Sequence, residues 1–233
     1  MQSLKTTVWL LASIPLALGH GGGMLYTIDG STYRAYKSVL NATTGSIQRD
    51  WTWDGVNSVT SDHLACRWSG NPTATSYHAP IKAGSTINVN YTDPTRIQDP
   101  WAFGHGYGPM LAYMAPCPNT GCESANLTAP IWFKVWHSGL LSGTWVNGHW
   151  GMTDIMNFST LDIPTPRNLK KGKYLLKHDM ISIETGAMQI FPNCIQLDVS
   201  GEGTSAPTQK ELVAFPGEYD GFDGMLFFGA EMG

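Results

Sequence analysis

No apolar run in the 233-residue chain exceeds eleven residues, and that run, Val8 to Leu18, stands at its start. A bilayer span needs about 20 such residues, so a retained membrane anchor is excluded as an expectation. Charge is also scarce: 14 Lys and Arg face 18 Asp and Glu, with no basic cluster. Nucleic acid and anionic membrane therefore find no electrostatic handle. Repeats, low-complexity linkers and heptads are missing, and Gly or Pro interrupts nearly every ten to fifteen residues, which leaves little room for helices. There are only six Glu, at positions 123, 184, 202, 211, 218 and 231, four of them near the C-terminus. Nothing nominates a pair flanking a glycosidic bond.

What is present begins with a leader. Lys5, the apolar Val8–Leu18 run and the small residues Ala17 and Gly19 have the layout of a secretory signal peptide. Its removal after Gly19 takes 19 residues from 233 and leaves 214, with 13 basic and 18 acidic groups, a formal −5. The expectation is a soluble, secreted, monomeric protein with one domain over residues 20–233 and no appended module. His20 becomes the first residue. The segment His20-Gly21-Gly22-Gly23 imitates the oxyanion-hole stretch of some lipases, but no Gly-x-Ser-x-Gly elbow exists for it to serve.

Short strands and long loops dominate the pattern. Ile87, Val89 and Tyr91 alternate with Asn88 and Asn90, the periodicity of a strand with one buried face. Similar runs lie at Met110–Ala115, Ile131–Trp136, Tyr174–Ile183 and Ile195–Val199, separated by Pro- and Gly-rich turns. The spacing predicts an all-β, immunoglobulin-like or fibronectin III-like antiparallel sandwich. Tyr36 to Ser85 and Ser138 to Ile163 read as long functional loops.

Four cysteines fit an oxidising compartment. Cys117 and Cys122 flank a turn-rich segment able to close a small loop, leaving Cys66 for Cys194, although four cysteines permit three connectivities. Asn41, Asn90, Asn126 and Asn157 head Asn-x-Ser/Thr sequons, candidates for glycosylation.

A terminal His carries metal chemistry of its own. The α-amine, with a pKa near ~8, loses its proton readily to copper, and a neutral imidazole suits either copper oxidation state. Amine and ring nitrogen of His20 form a chelate, and a third nitrogen completes a T-shaped site. Six other histidines compete for that place: His63, His78, His105, His137, His149 and His178. His105 stands apart because of the segment around it, Gly104-His105-Gly106-Tyr107-Gly108-Pro109-Met110-Leu111-Ala112-Tyr113-Met114-Ala115-Pro116-Cys117.

That segment resembles the His-x-Gly-Pro and apolar strand of the fungal lytic polysaccharide monooxygenases of auxiliary activity family 9. Further motifs are similar in order: Trp132-Phe133-Lys134-Val135, Gly143-Thr144-Trp145, Tyr174-Leu175-Leu176-Lys177-His178-Asp179-Met180-Ile181, Gln189-Ile190-Phe191-Pro192-Asn193-Cys194 and Phe215-Pro216-Gly217-Glu218-Tyr219. The resemblance implies a histidine brace of His20 and His105 around one copper ion, Gln189 as a donor toward a copper-bound oxygen species, and the two disulfides suggested above. It implies Tyr219 as a ring that stacks on sugars at a flat face, and His178 as a structural residue. It also implies an external electron donor, O2 or H2O2 as co-substrate, and cellulose or a related β-1,4-glucan as the polysaccharide, oxidised at C1 or C4. A noncatalytic copper- or polysaccharide-binding protein that keeps the brace is the alternative.

The chain departs from the family pattern at three places. Its His105-Gly106-Tyr107-Gly108-Pro109 is one residue longer, so the loop must bulge to restore the ligand. Phe191 replaces the axial Tyr, filling that position without ligating. Glu184 replaces the His that assists oxygen, either as a proton donor, given burial that raises its pKa, or as a solvated loop residue.

Overall fold

The computed structural model describes residues 21–34, 46–51, 54–66, 77–91, 103–145, 147–184 and 188–219. The leader, His20 and the sequon at Asn41 lie outside them. Among the described residues, eleven strands and one α-helix follow in chain order: β1 (Leu25–Ile28), β2 (Ser31–Arg34), β3 (Ala79–Lys82), β4 (Thr86–Asn90), β5 (Met110–Pro116), β6 (Phe133–Ser138), β7 (Leu140–Ser142), β8 (His149–Trp150), α1 (Gly151–Phe158), β9 (Thr160–Pro164), β10 (Gly172–Ser182) and β11 (Gln189–Ser200).

Asp29 and Gly30 have φ of 44° and 80°, the two-residue geometry whose twist closes a tight hairpin, and they join β1 to β2 with Ile28 opposite Ser31. This hairpin is absent from the expectations above. Antiparallel pairing extends it to the four-stranded order β2-β1-β4-β9. Alternation holds here: Tyr26, Ile28, Ile87 and Val89 turn inward, while Thr27 and Asn88 do not.

The second sheet has the order β3-β11-β10-β5-β6, antiparallel except for β3 on β11. Its central strands are buried on both faces. Along β10, Tyr174, Leu176, His178 and Met180 face the first sheet, whereas Leu175, Lys177, Asp179 and Ile181 face away from it. A second core, containing Leu64, Trp132 and Phe215, covers that outer side. Burial on both faces is why the run at 110–115 is continuously apolar, whereas 174–183 carries Lys177, His178 and Asp179 into the buried strand. The covering layer is tied down by the Cys66–Cys194 disulfide, which closes 128 residues, and by Arg49 Nη2 donating to the Cys122 carbonyl at 2.7 Å. On the chain-entropy account a crosslink of that span stabilises by about 5 kcal/mol. Cys117 pairs with Cys122.

Two expectations need correction. Neither long loop holds as drawn: the 36–85 stretch contains β3, and residues 138–163 form the β7–β8 hairpin, α1 and β9. The helix starts without a side-chain cap at Trp150 and ends on Ser159 in the left-handed region, so it lacks the usual start signal. Tyr219 is no surface platform. It is 3% exposed, its hydroxyl donates to Asp179, and its ring packs 5.1 Å from that of Phe215. The Asp179 carboxylate also holds Lys177, whose burial lowers its pKa and whose ammonium lies 3.9 Å from the Phe215 ring centroid. Deprived of the Tyr219 hydroxyl, Asp179 would lose one of the partners that make its burial tolerable. Sequons at Asn126 and Asn157 are exposed, and Asn90 is half-buried.

Candidate metal centre

His105 sits on the turn that enters β5, opposite the end of β10. The lengthened loop is zipped to that strand: Ile181 N donates to Pro109 O at 3.0 Å and Ile183 N to Tyr107 O at 3.1 Å. Gly108 makes this possible, because its φ is 141° and a β-carbon there would lie 1.8 Å from the Ile181 carbonyl oxygen. The loop is thus held to the strand end by extended pairing. From behind, Thr153 Oγ1 on α1 donates to the Gly106 carbonyl at 2.8 Å.

The last turn of β10 supplies His105 with its partners. Nδ1 lies 2.8 Å from Glu184 Oε2 and 3.0 Å from Ser182 Oγ. Glu184 Oε1 accepts from Gly106 N at 2.7 Å and from Tyr107 N at 3.2 Å. Partial burial pushes the Glu184 pKa up, but the hydrogen bonds from His105, Gly106 and Tyr107 outweigh it and hold the carboxyl below its ordinary value. The proton-donor expectation, which needs a raised pKa, is not met. Glu184 is an exposed loop residue whose carboxylate is committed to the His105 loop.

The other ring nitrogen of His105 is left over. Nε2 is buried and has no hydrogen-bond partner among the described residues, in a side chain 6% exposed overall. An Nδ1–H donated to the carboxylate fixes the tautomer that presents an Nε2 lone pair. Such a buried acceptor without a donor suits a metal ion. Phe191 packs beside it, ring centroids 5.3 Å apart, and Phe103 closes the triangle at 5.3 Å from His105 and 5.2 Å from Phe191. Gln189, half-buried, opens β11 directly across from Ser182 in the strand register, which brings it to the same end of the sheet.

The chain following His20 is threaded into this end of the sandwich. Gly21, Gly22 and Gly23 are buried; Gly23 N donates to Asn193 Oδ1 at 3.2 Å and its carbonyl accepts from Gln48 Nε2 at 3.1 Å. A β-carbon on Gly22 would stand 2.6 Å from the Trp51 ring, so the glycines are a packing requirement and not a loop signal. Asn193 and Phe191 project to the same side of β11, two residues apart.

The remaining described histidines are occupied differently. His178 is buried between Tyr26 Oη at 3.0 Å and Tyr91 Oη at 3.0 Å, and desolvation, with the nearby Lys177 charge, lowers its pKa to about 3. His149 pairs with Asp154 at the surface. His78 lies near Cys117 and Cys122, whose sulfurs are bonded to each other and offer no thiolate. Sequence reasoning missed Ser182 and the Asn193–Gln48 clamp, both uncharged and without motif character. It also missed a recess of about 390 Å³ lined by Tyr107, Trp145, Ile183 and Glu184.

Comparison with known proteins places this geometry in context. The family model for Auxiliary Activity family 9, formerly glycoside hydrolase family 61, matches residues 20–231. The chain is 34% identical, over 238 aligned positions covering 96% of it and 71% of the relative, to an AA9 family lytic polysaccharide monooxygenase-like protein of Agaricus bisporus. It is 32% identical over 216 positions, 90% and 84% of the two chains, to AA9 family lytic polysaccharide monooxygenase B of Heterobasidion irregulare. Among solved structures it is similar to a cellulose-active polysaccharide monooxygenase from M. thermophila, with a TM-score of 0.72 at 25% identity over 85% of this chain and 86% of that one. These neighbours share the immunoglobulin-like sandwich.

Proposed function

The chain belongs to Auxiliary Activity family 9, the copper-dependent enzymes that cleave polysaccharides by oxidation, and on that premise we propose that it is a secreted, monomeric monooxygenase of cellulose-type β-1,4-glucan, acting at C1 or C4. The observation that carries the reading is the buried, unpartnered Nε2 of His105, with Nδ1 tied to Glu184 at 2.8 Å. Cellulose as the substrate is supported by the similar structure from M. thermophila, whose own title calls that enzyme cellulose-active.

In this proposal the amine and imidazole of His20 and Nε2 of His105 hold one copper ion. From the anchored Gly23 to His20 the chain can reach at most about 10–11 Å. Asn193, which anchors Gly23, is about 7 Å along the strand from Phe191, so that reach is ample. Bound copper supplies the one-electron chemistry that activates O2 or H2O2 once an external reductant has delivered an electron.

The protein's own residues do the rest. Glu184 and Ser182 fix the ring of His105, and the carboxylate makes the imidazole a stronger donor. Phe191, fully buried against His105, offers no ligand atom and excludes water from its side of the ring. Gln189 serves as hydrogen-bond donor to the oxygen co-substrate.

The decisive experiment compares protein starting at His20 with protein carrying one Ala before it, both loaded with copper. A nitrogen-ligated Cu(II) resonance and oxidised oligosaccharides from cellulose, both lost in the extended protein, are expected. Equal weak copper binding in the two would remove the brace. A second reading, a copper protein without turnover, is favoured by the commitment of the Glu184 carboxylate to the His105 loop. Tight copper binding with neither reductant oxidation nor oxidised sugar would select it.

A further inference from the structure

Beside His105 lies a recess of about 390 Å³, within the size range of small-molecule sites, lined by Tyr107, Trp145, Ile183 and Glu184. Its two aromatic rings are unusually open. Trp145 is 50% exposed and Tyr107 39%, in a protein that buries Trp51, Trp132 and Trp150 almost fully. The Trp145 ring and the Tyr107 backbone are nevertheless held in place. The Trp145 ring packs edge-on against Trp150 at 5.6 Å, and its carbonyl accepts from Trp150 Nε1 at 3.4 Å. Tyr107 is fixed through its backbone, its N–H on Glu184 and its carbonyl on Ile183 N.

Rigid aromatic faces left in water lower the entropic cost of binding something with an apolar face of its own. The polar component is equally specific. A carboxylate has about four acceptor sites, and Glu184 uses three of them, two on Oε1 and one on Oε2. Among the described residues nothing takes the fourth, which leaves it for a hydroxyl. Two rings and one carboxylate acceptor match a pyranose, which has C–H faces and a rim of hydroxyl donors.

We propose that Tyr107, Trp145 and Glu184 form a subsite for one pyranose ring, lying beside the His105 cluster and separate from any flat binding face. The assignment rests on the polysaccharide reading above and deepens it. A recess cannot take a ring locked in the plane of a crystalline face. Its occupant is a ring of a soluble glucan chain able to bend, or a side-branch sugar projecting from the main chain. The chemistry is shared, and the source is what experiment separates. Tyr107 belongs to the residue-longer loop that Gly108 makes possible, so the insertion acquires a purpose beyond restoring the position of His105.

The test titrates copper-loaded protein starting at His20, without reductant, with cellohexaose and with a xylose-branched cellotetraose heptasaccharide, reading calorimetry and the Trp145 indole N–H resonance. Binding with a shift of that resonance is expected for at least one saccharide; both ligands point to a main-chain ring, the branched one alone to a side-branch. Y107A and W145A should each weaken affinity roughly tenfold, the scale of a lost aromatic anchor. Y107F and W145F, which keep a ring, should retain most of it, and F158A, which removes an exposed aromatic outside the recess, should match wild type. Unchanged affinity in both alanine variants, or a Trp145 resonance moved by neither saccharide, would overturn the subsite. Product analysis runs separately. Oxidised sugars formed with wild type while the recess variants bind normally leave the monooxygenase standing and remove the subsite, whereas ring-dependent binding without oxidised sugars supports the subsite and removes the monooxygenase.

Discussion

Glu184 Oε2 and His105 Nδ1 lie 2.8 Å apart, joining the end of β10 to the loop before β5, and the same carboxylate gathers the backbone N–H groups of Gly106 and Tyr107. A single side chain thus sets the ring's tautomer and the loop's shape. Its removal is expected to act on both. Glu184→Gln keeps the volume and loses the charge; copper affinity should fall about 10- to 100-fold, as is usual when the carboxylate behind a ligating His is lost. Isothermal titration and the Cu(II) resonance check this, and wild-type affinity would show that the pair only shapes the loop.

Gly108→Ala should be among the most damaging small substitutions in the site. The added carbon would overlap the Ile181 carbonyl oxygen, and φ of 141° is unfavourable for any residue with a β-carbon. A loss of roughly 2–4 kcal/mol is expected from strain and displaced pairing. Chemical denaturation measures it, and the copper resonance should broaden as His105 shifts.

The buried His178 predicts acid sensitivity. Its pKa falls from 6.5 to about 3 in the folded protein, chiefly through desolvation and secondarily through Lys177. The unfolded chain therefore binds the proton first, and stability that is complete above about pH 6.5 declines as pH drops toward 3. A shift of this size corresponds to roughly 5 kcal/mol at full effect. Urea unfolding of copper-free protein between pH 7 and 4 should show the slope, and His178→Gln should flatten it while lowering stability at neutral pH. An identical slope in the variant would assign the acid sensitivity to other groups.

Tyr219→Phe separates a structural ring from a sugar platform. Loss of the hydroxyl leaves Asp179 with one partner fewer in a fully buried position, costing about 1–3 kcal/mol. Thermal unfolding should register that, while saccharide affinity stays at the wild-type value. A fall in affinity without a fall in stability would restore Tyr219 to the binding face.

Much of this was readable in the residues themselves. A continuous apolar run marked β5, and the alternation at Ile87 and Val89 marked β4, because burial imposes its period directly on the chain. His105 stood out through the ordered motifs around it. Tyr219 misled for the opposite reason: a Phe-Pro-Gly-Glu-Tyr turn looks the same whether its ring meets water or a buried aspartate on β10, forty residues away in sequence. Glu184 was legible as a substitution but not as a role, since its pKa depends on three donors, two of them backbone groups that composition cannot reveal. The α1 helix went unseen because Trp150 and Gly151 open it without a cap.

The covering layer on the second sheet has one further consequence. An enzyme fed electrons from outside, as proposed here, works in the presence of agents that also attack sulfur–sulfur bonds. Thiol exchange requires the attacker to reach a sulfur in line, and Cys66 and Cys194 are 2% and 1% exposed, sealed beneath the residues they hold down. Cys117, half-buried at the edge, is the point at which a reductant gains entry. Its bond closes only a short loop. Chemical wear should therefore begin at the linkage whose loss matters least, and the long-range tie should fail only after the outer layer has already lifted.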